Sequence, residues 1–264
     1  MKRIFRVKWG IMALALGLVA LQACSTDADE QEIPADAKLT EAEFQAVMNT
    51  EQWTGAADAA LAEIYQNGNG GSGKFAANEC YDTVHSESGF TVTFGNCVLN
   101  GTDNANGTLV VTYNVGNEQA SFTAVYEAFY VNDIELNGTR TFTLTSDGAN
   151  SITTSVTSNM TVTLPDERVI TESGTKTVGF QFGQTLAEST FTIEGSWNLT
   201  LDGNSYSVEV LSALTGNFSC AHLVSGVLEL TKNGLTVSVD LGDGTCDDQA
   251  ILTYPNGAQE PITL

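Results

Sequence analysis

From about Cys80 to the end of the chain, apolar side chains recur at every second position, and this periodicity restricts the fold more than any other feature. Phe191, Ile193, Gly195, Trp197, Leu199 and Leu201 share one parity, and Tyr206, Val208 and Val210 resume it after a turn at Gly203-Asn204. Leu228 and Leu230 precede Asn233-Gly234, and Leu235, Val237, Val239 and Leu241 follow it, which reads as a hairpin. Ile152, Val156, Met160, Val162 and Leu164 keep one parity while Thr and Ser fill the other. Strands that are apolar on one side and Thr-rich on the other predict an antiparallel sheet with one buried face and one wet face. The expected class is mainly β, a sandwich or twisted meander, with an open barrel as the alternative.

Helical spacing is confined to the region before the strands. Thr40 is placed as an N-cap and Glu43 as the third position of a capping box, with Phe44, Val47 and Met48 forming an apolar stripe. A second helical piece is expected from about Ala56 to Tyr65, carrying Ala60, Leu61 and Ile64. Asn67 to Gly73 then reads as a flexible Gly-rich connector. It is not a phosphate loop, because Gly73-Lys74 runs into Phe75.

The start of the chain is an address. Lys2, Arg3, Arg6 and Lys8 precede an apolar run from Ile11 to Leu21, too short for a membrane span and typical of a secretory signal. The run ends in Leu21-Gln22-Ala23-Cys24, which resembles the lipobox of bacterial lipoproteins. That resemblance implies cleavage before Cys24 and acylation of Cys24. The expected organisation is a signal peptide over 1–23, an acidic tether over 24–36, a helical segment and connector over 37–75, and a β domain over 76–264. The tether carries Asp27, Asp29, Glu30 and Glu32 and also resembles the acidic segment after the lipidated cysteine of surface-exposed lipoproteins of the Bacteroidetes.

Once the leader's four basic residues are removed, thirty-two acidic and six basic side chains remain, a net charge of −26. Such a field repels nucleic acid and anionic membrane surfaces, so nucleic acid is not an expected partner. Apart from Cys24 the cysteines are Cys80, Cys97, Cys220 and Cys246, an even number in an exported chain. Three pairings are open. Cys80–Cys97 and Cys220–Cys246 are favoured because each pair brackets a short strand-rich stretch. No Cys-x-x-Cys occurs, which weakens zinc and thioredoxin-like readings.

Two internal echoes are visible. Ile134 to Leu144 matches Phe191 to Leu201 position for position, with Gly138 and Gly195 mid-strand on the apolar parity. A glycine there marks a bulge, a kink or a gap covered by a neighbouring aromatic ring. The second echo links Phe94-Gly-Asn-Cys97, before Leu109 to Tyr113, with Leu241-Gly-Asp-Gly-Thr-Cys246-Asp-Asp248, before Ile251 to Tyr254. These cysteine-bearing hairpin units resemble uncharacterised lipoproteins of Flavobacteria and other Bacteroidetes. The likeness covers the signal, the tether and the two ends of the β region. It implies an outer-membrane, lipid-anchored, cell-surface protein and no particular activity.

Candidate chemistry is sparse. His85 and His222 are the only histidines, and no Gly-x-Ser-x-Gly elbow accompanies them, so no catalytic residue is assigned. Asp240, Asp243, Asp247 and Asp248 form the densest acidic cluster of the β region and are candidate calcium ligands. The EF-hand pattern fails there, since its third and fifth positions hold Gly242 and Gly244. No cofactor is required. Trp53, Trp197, Tyr126, Phe129 and Tyr130 are aromatic residues that could meet sugars, although Trp197 lies on the core parity. Asp82-Thr83-Val84 resembles the short O-glycosylation signal of Bacteroidetes. The expected role is non-enzymatic, in binding or envelope structure, with a glycan or envelope protein as partner. A surface hydrolase acting on glycans is the alternative, and it would need two carboxylates set across a cleft.

Overall fold

The computed structural model describes residues 38–67, 80–99, 103–114, 120–148, 150–184, 188–217, 219–220 and 222–264. The expected signal peptide, Cys24, the expected tether and residues 68–73 of the Gly-rich stretch lie outside them. One helix, α1 (Glu41–Asn67), precedes thirteen strands: β1 (Tyr81–Ser86), β2 (Gly89–Leu99), β3 (Asp103–Tyr113), β4 (Ser121–Val131), β5 (Ile134–Gly148), β6 (Ser151–Thr163), β7 (Val169–Gln181), β8 (Thr190–Leu201), β9 (Asn204–Asn217), β10 (Leu223–Lys232), β11 (Leu235–Asp243), β12 (Gln249–Thr253) and β13 (Gln259–Thr263). They form one antiparallel sheet in strict chain order, a meander whose ends do not pair with each other.

Short connections explain that order. Strands joined by two residues must pair with each other, and the alternation then fixes which face is buried. Asn233 and Gly234 both have positive φ, 46° and 94°, as the turn between β10 and β11 requires. Between β8 and β9 the turn pair is Asp202-Gly203, at 52° and 76°, one residue earlier than the sequence pattern suggests. Both cysteine pairs form as expected. Cys80–Cys97 and Cys220–Cys246 are disulfides with Cα separations of 5.1 and 5.4 Å.

The inner face carries the core. Phe94, Leu109, Tyr126, Phe129, Leu136, Met160, Trp197, Tyr206, Val208, Leu230 and Val239 are buried there under α1, which contributes Phe44, Val47, Ala57, Ala60, Leu61 and Ile64. The helix is a single run rather than two pieces. Gly55 sits exposed on its outer side with open space around its Cα, so it interrupts nothing. Thr50 and Thr54 are buried, and their hydroxyls donate back to the carbonyls of Ala46 and Thr50 at 2.8 and 3.0 Å, which makes polar residues tolerable in mid-helix.

The helix lies across the strands. Its N-terminal half bonds to β9 and β10 through Glu43, and Asp58 bonds to β4 and β5. Those fifteen residues rise about 22 Å, close to the roughly 24 Å of five strand spacings. Gln45 also reaches the carbonyl of Thr263, so the last strands turn up along the first helical turns.

Candidate functional site

The convergent ionisable groups are on the inner face, beneath the middle of α1. Three of them break the strand pattern. Arg140 stands between Gly138 and Phe142 on the buried parity of β5, and Glu172 and Lys176 flank Gly174 on that of β7. Their side chains keep 4, 0 and 2 % of their surface, so each must find a partner inside the protein. The helix supplies two, Glu51 and Asp58, seven residues apart and therefore on one side of it.

The contacts form a chain. Glu51 pairs with the Lys176 ammonium, which also donates to Glu172 Oε1 at 3.1 Å. Arg140 Nη1 lies 3.9 Å from the same Glu172 oxygen, and its Nη2 lies 3.0 Å from Asp58 Oδ2. The Tyr126 hydroxyl donates to Asp58 Oδ1 at 3.0 Å. Lys176 Nζ sits 4.5 Å from the ring centroid of Trp197, adding a cation–π contact. Three carboxylates thus face two cations. Ser158, opposite Arg140 on β6, and Trp197 line the same floor. Arg140 Nε and Nη1, Ser158 Oγ, Glu172 Oε2 and Trp197 Nε1 are buried with no hydrogen-bond partner among the described residues.

Electrostatics follow from this geometry. Burial pushes the carboxyls of Glu51 and Asp58 above their usual range. Lys176 opposes the shift at Glu51, Glu172 reinforces it, and Arg140 and the Tyr126 hydroxyl oppose it at Asp58. Their side chains retain 17 and 25 % of their surface, so the rim of the cluster meets water. Glu43, nearer the start of α1, is lowered instead. Burial would raise it, but Lys232 and the capping residue Thr40 outweigh that. The phenol of Tyr206 is pushed up to about 12 by burial and by Glu43.

The sequence-derived candidates fall elsewhere. The acidic loop between β11 and β12 folds its carboxylates onto local donors. Asp240 accepts from Gly242 N at 3.0 Å, Asp243 from Thr245 N and Oγ1 at 3.2 and 2.7 Å, and Asp247 from Gln249 N at 3.0 Å. Asp248 accepts from the Gln249 side chain. Among the described residues no group of three or more His, Cys, Asp or Glu side chains converges to hold a metal ion. His85 and His222 are exposed, the former with its ring centroid 6.0 Å from that of Phe90. Trp197, Tyr126 and Phe129 are core residues, Trp53 is half-buried against the core, and Tyr130 is exposed. Thr83 points inward on β1 with its hydroxyl buried. Where α1 meets β12 and β13, a recess of about 150 Å³ lies among Leu39, Glu41, Leu252, Glu260, Pro261 and Ile262.

Periodicity alone does not reveal the buried cluster, because Glu51 and Asp58 read as ordinary solvent-facing helix residues. The signal was present on the strands, where Arg140, Glu172 and Lys176 occupy apolar positions. The outer face is different in kind. Across β3 to β8, Thr112, Thr123, Thr141, Thr157, Thr175 and Ser196 stand opposite one another in a row. Thr123 and Thr141, and Thr157 and Thr175, have their hydroxyls 3.1 Å apart. The pairings of β6 with β7 and of β7 with β8 run without a register shift. Among the described outward side chains of β5 to β8, only Glu135 and Glu194 are charged. Comparison with family models, with curated proteins and with solved structures yields no match.

Proposed function

We propose that this chain is an exported protein anchored to the outer membrane by lipid on Cys24, facing the cell surface, with a non-enzymatic role in binding or envelope structure. The observation that carries the reading is the contrast between the two faces of the sheet. The convergent ionisable groups tie α1 down on the buried side. The outward side of β5 to β8 is a regular, nearly uncharged array of hydroxyls in a strongly acidic protein. An uncharged polyhydroxylated partner, such as an envelope glycan, meets no electrostatic penalty there. The two disulfides support an oxidising compartment.

Two measurements test the reading. Cys24→Ala should carry no lipid and should leave the membrane fraction; lipid or membrane association that persists in this variant overturns the anchor. The full-length protein should co-sediment with insoluble envelope polysaccharide, and Thr157→Glu with Thr175→Glu should weaken that binding several-fold. Binding unchanged by the two glutamates removes this face as the site, and release of new reducing ends from the glycan would establish a hydrolase instead.

A further inference from the structure

The cluster under α1 is unbalanced in a way that has a consequence for how the helix is held. Glu51 and Glu172 both bind the single ammonium of Lys176. Arg140, the other cation, is shared between Glu172 and Asp58. The charged groups acting on Glu51 are Lys176 and Glu172 of β7 and Arg140 of β5; Asp58 of α1 shares Arg140, the neutral phenol of Tyr126 on β4 bonds to Asp58, and the uncharged ring of Trp197 on β8 lies against Lys176. With all carboxyls ionised this buried site carries one uncompensated negative charge, and Glu172, with none of its side chain exposed, has one oxygen without a partner. A single proton on one carboxyl brings the buried site to charge balance.

We propose that this cluster is a proton-operated latch: with one proton bound it clamps α1 on the sheet, and loss of that proton at higher pH loosens the helix. Glu51 is the carrier, because it sits at the rim where water can deliver the proton and because its neighbour across Lys176 is another carboxylate. Burial raises Glu51, and Glu172 adds to the rise. Its contribution to folding is therefore complete below the ordinary carboxylate range and is lost as pH climbs through the raised value. Glu43, 12 Å or so further along the helix by its rise per residue, is lowered and works in the opposite sense. The first turn of α1 therefore stays pinned by the Lys232 pair while the middle loosens. The helix region from Glu51 to Asn67, leading into the Gly-rich connector, is the part released.

Carboxyl carbon chemical shifts of Glu51 and Asp58 in the full-length chain, followed by NMR from pH 4 to 9, give the titration directly. Amide exchange along α1 at pH 5 and pH 8, corrected for intrinsic rates and referenced to β6, gives the opening. Glu51 should titrate above the ordinary range, and opening of the second half of α1 should rise about tenfold for each unit of that elevation. Strand β6 should not respond. In Glu51→Gln the rise should shrink to the share left by Asp58, with α1 at pH 8 held at least as well as in the unaltered chain. A Glu51 midpoint in the ordinary range overturns the latch, and so does α1 protection that is independent of pH. Should the Gln variant fail to fold, the charge on Glu51 is stabilising, which overturns the proposal equally.

Discussion

Arg140 is an arginine at a position where the strand pattern asks for a hydrophobe, and its removal should be among the most damaging single changes in the protein. It neutralises Asp58 and part of Glu172 while keeping only 4 % of its own side-chain surface. Arg140→Leu fills the space but strands two buried carboxylates, at a cost of about 3–5 kcal/mol. Adding Asp58→Asn should restore part of that loss, because one of the stranded charges is gone. Urea unfolding of both single variants and the double variant supplies the coupling energy, and strictly additive effects would mean the two side chains do not act as a pair. The glycines test a different residue-scale constraint. Gly195, at φ 114°, lies beside the register shift between β8 and β9, and a Cβ there would approach the Thr175 carbonyl oxygen to 2.5 Å. Gly203, at φ 76°, sits in a turn with open space around it. Gly203→Ala should cost about 1 kcal/mol of backbone strain, and Gly195→Ala roughly 1–3 kcal/mol more, since the neighbouring strand must also move.

At the scale of the element, local physics explains both what could be read ahead and what could not. Period-two alternation and two-residue turns specify strands and their partners, so the two hairpins β8–β9 and β10–β11 are legible around their turns, while the register shifts at Ile193/Ser196 and along β10 are not. The capping box is legible too: Thr40 N and Oγ1 both donate to Glu43 Oε2 at 2.9 Å, and Glu43 N donates back to Thr40 Oγ1 at 3.3 Å. Thr40→Ala should therefore lower stability by about 1 kcal/mol, read from the shift of the urea midpoint at constant slope. Glu43 bonds beyond its cap to Tyr206 and Lys232, so Glu43→Ala should cost more than Thr40→Ala. The continuity of α1 was not legible, because a Thr-Gly pair reads as a break unless one knows that Thr54 is buried and Gly55 faces outward. Nor was the cluster, since the pairing of Glu51 with Lys176 spans 125 residues and depends on where the helix crosses the sheet. The disulfides act on another element-scale quantity, the entropy of the unfolded chain. Loops of 17 and 26 residues correspond to about 3 kcal/mol each in the loop-closure account. Reduction should lower the unfolding midpoint by two similar steps, separable with Cys80→Ser/Cys97→Ser and Cys220→Ser/Cys246→Ser.

For the whole molecule, the governing facts are a large negative charge and a sheet whose terminal strands, β1 and β13, have no further strand beyond them among the described residues. The edges are guarded. Both terminal strands are short, with six residues in β1 and five in β13, and Pro261 removes a donor from β13. The charge works against compactness: the chain carries a net charge of −22, with ten basic residues against thirty-two acidic ones, and the excess negative charges repel one another. Monovalent salt shortens the range of that repulsion, to about 10 Å at 0.1 M. The thermal midpoint should therefore rise as sodium chloride is increased from low concentration to a few tenths molar, unlike a protein held mainly by exposed ion pairs. Calcium separates general screening from a specific site. Asp240, Asp243 and Asp247 each accept from their own chain, and the hydroxyl and amide of Thr245 hold Asp243 below the usual carboxylate range. Carboxylates committed one by one to local donors offer a divalent ion no common centre. Millimolar calcium should therefore raise the midpoint no more than sodium at matched ionic strength. A calcium shift larger than the sodium shift, and lost in Asp243→Asn, would mean the loop rearranges around the ion and that this turn is a binding site after all.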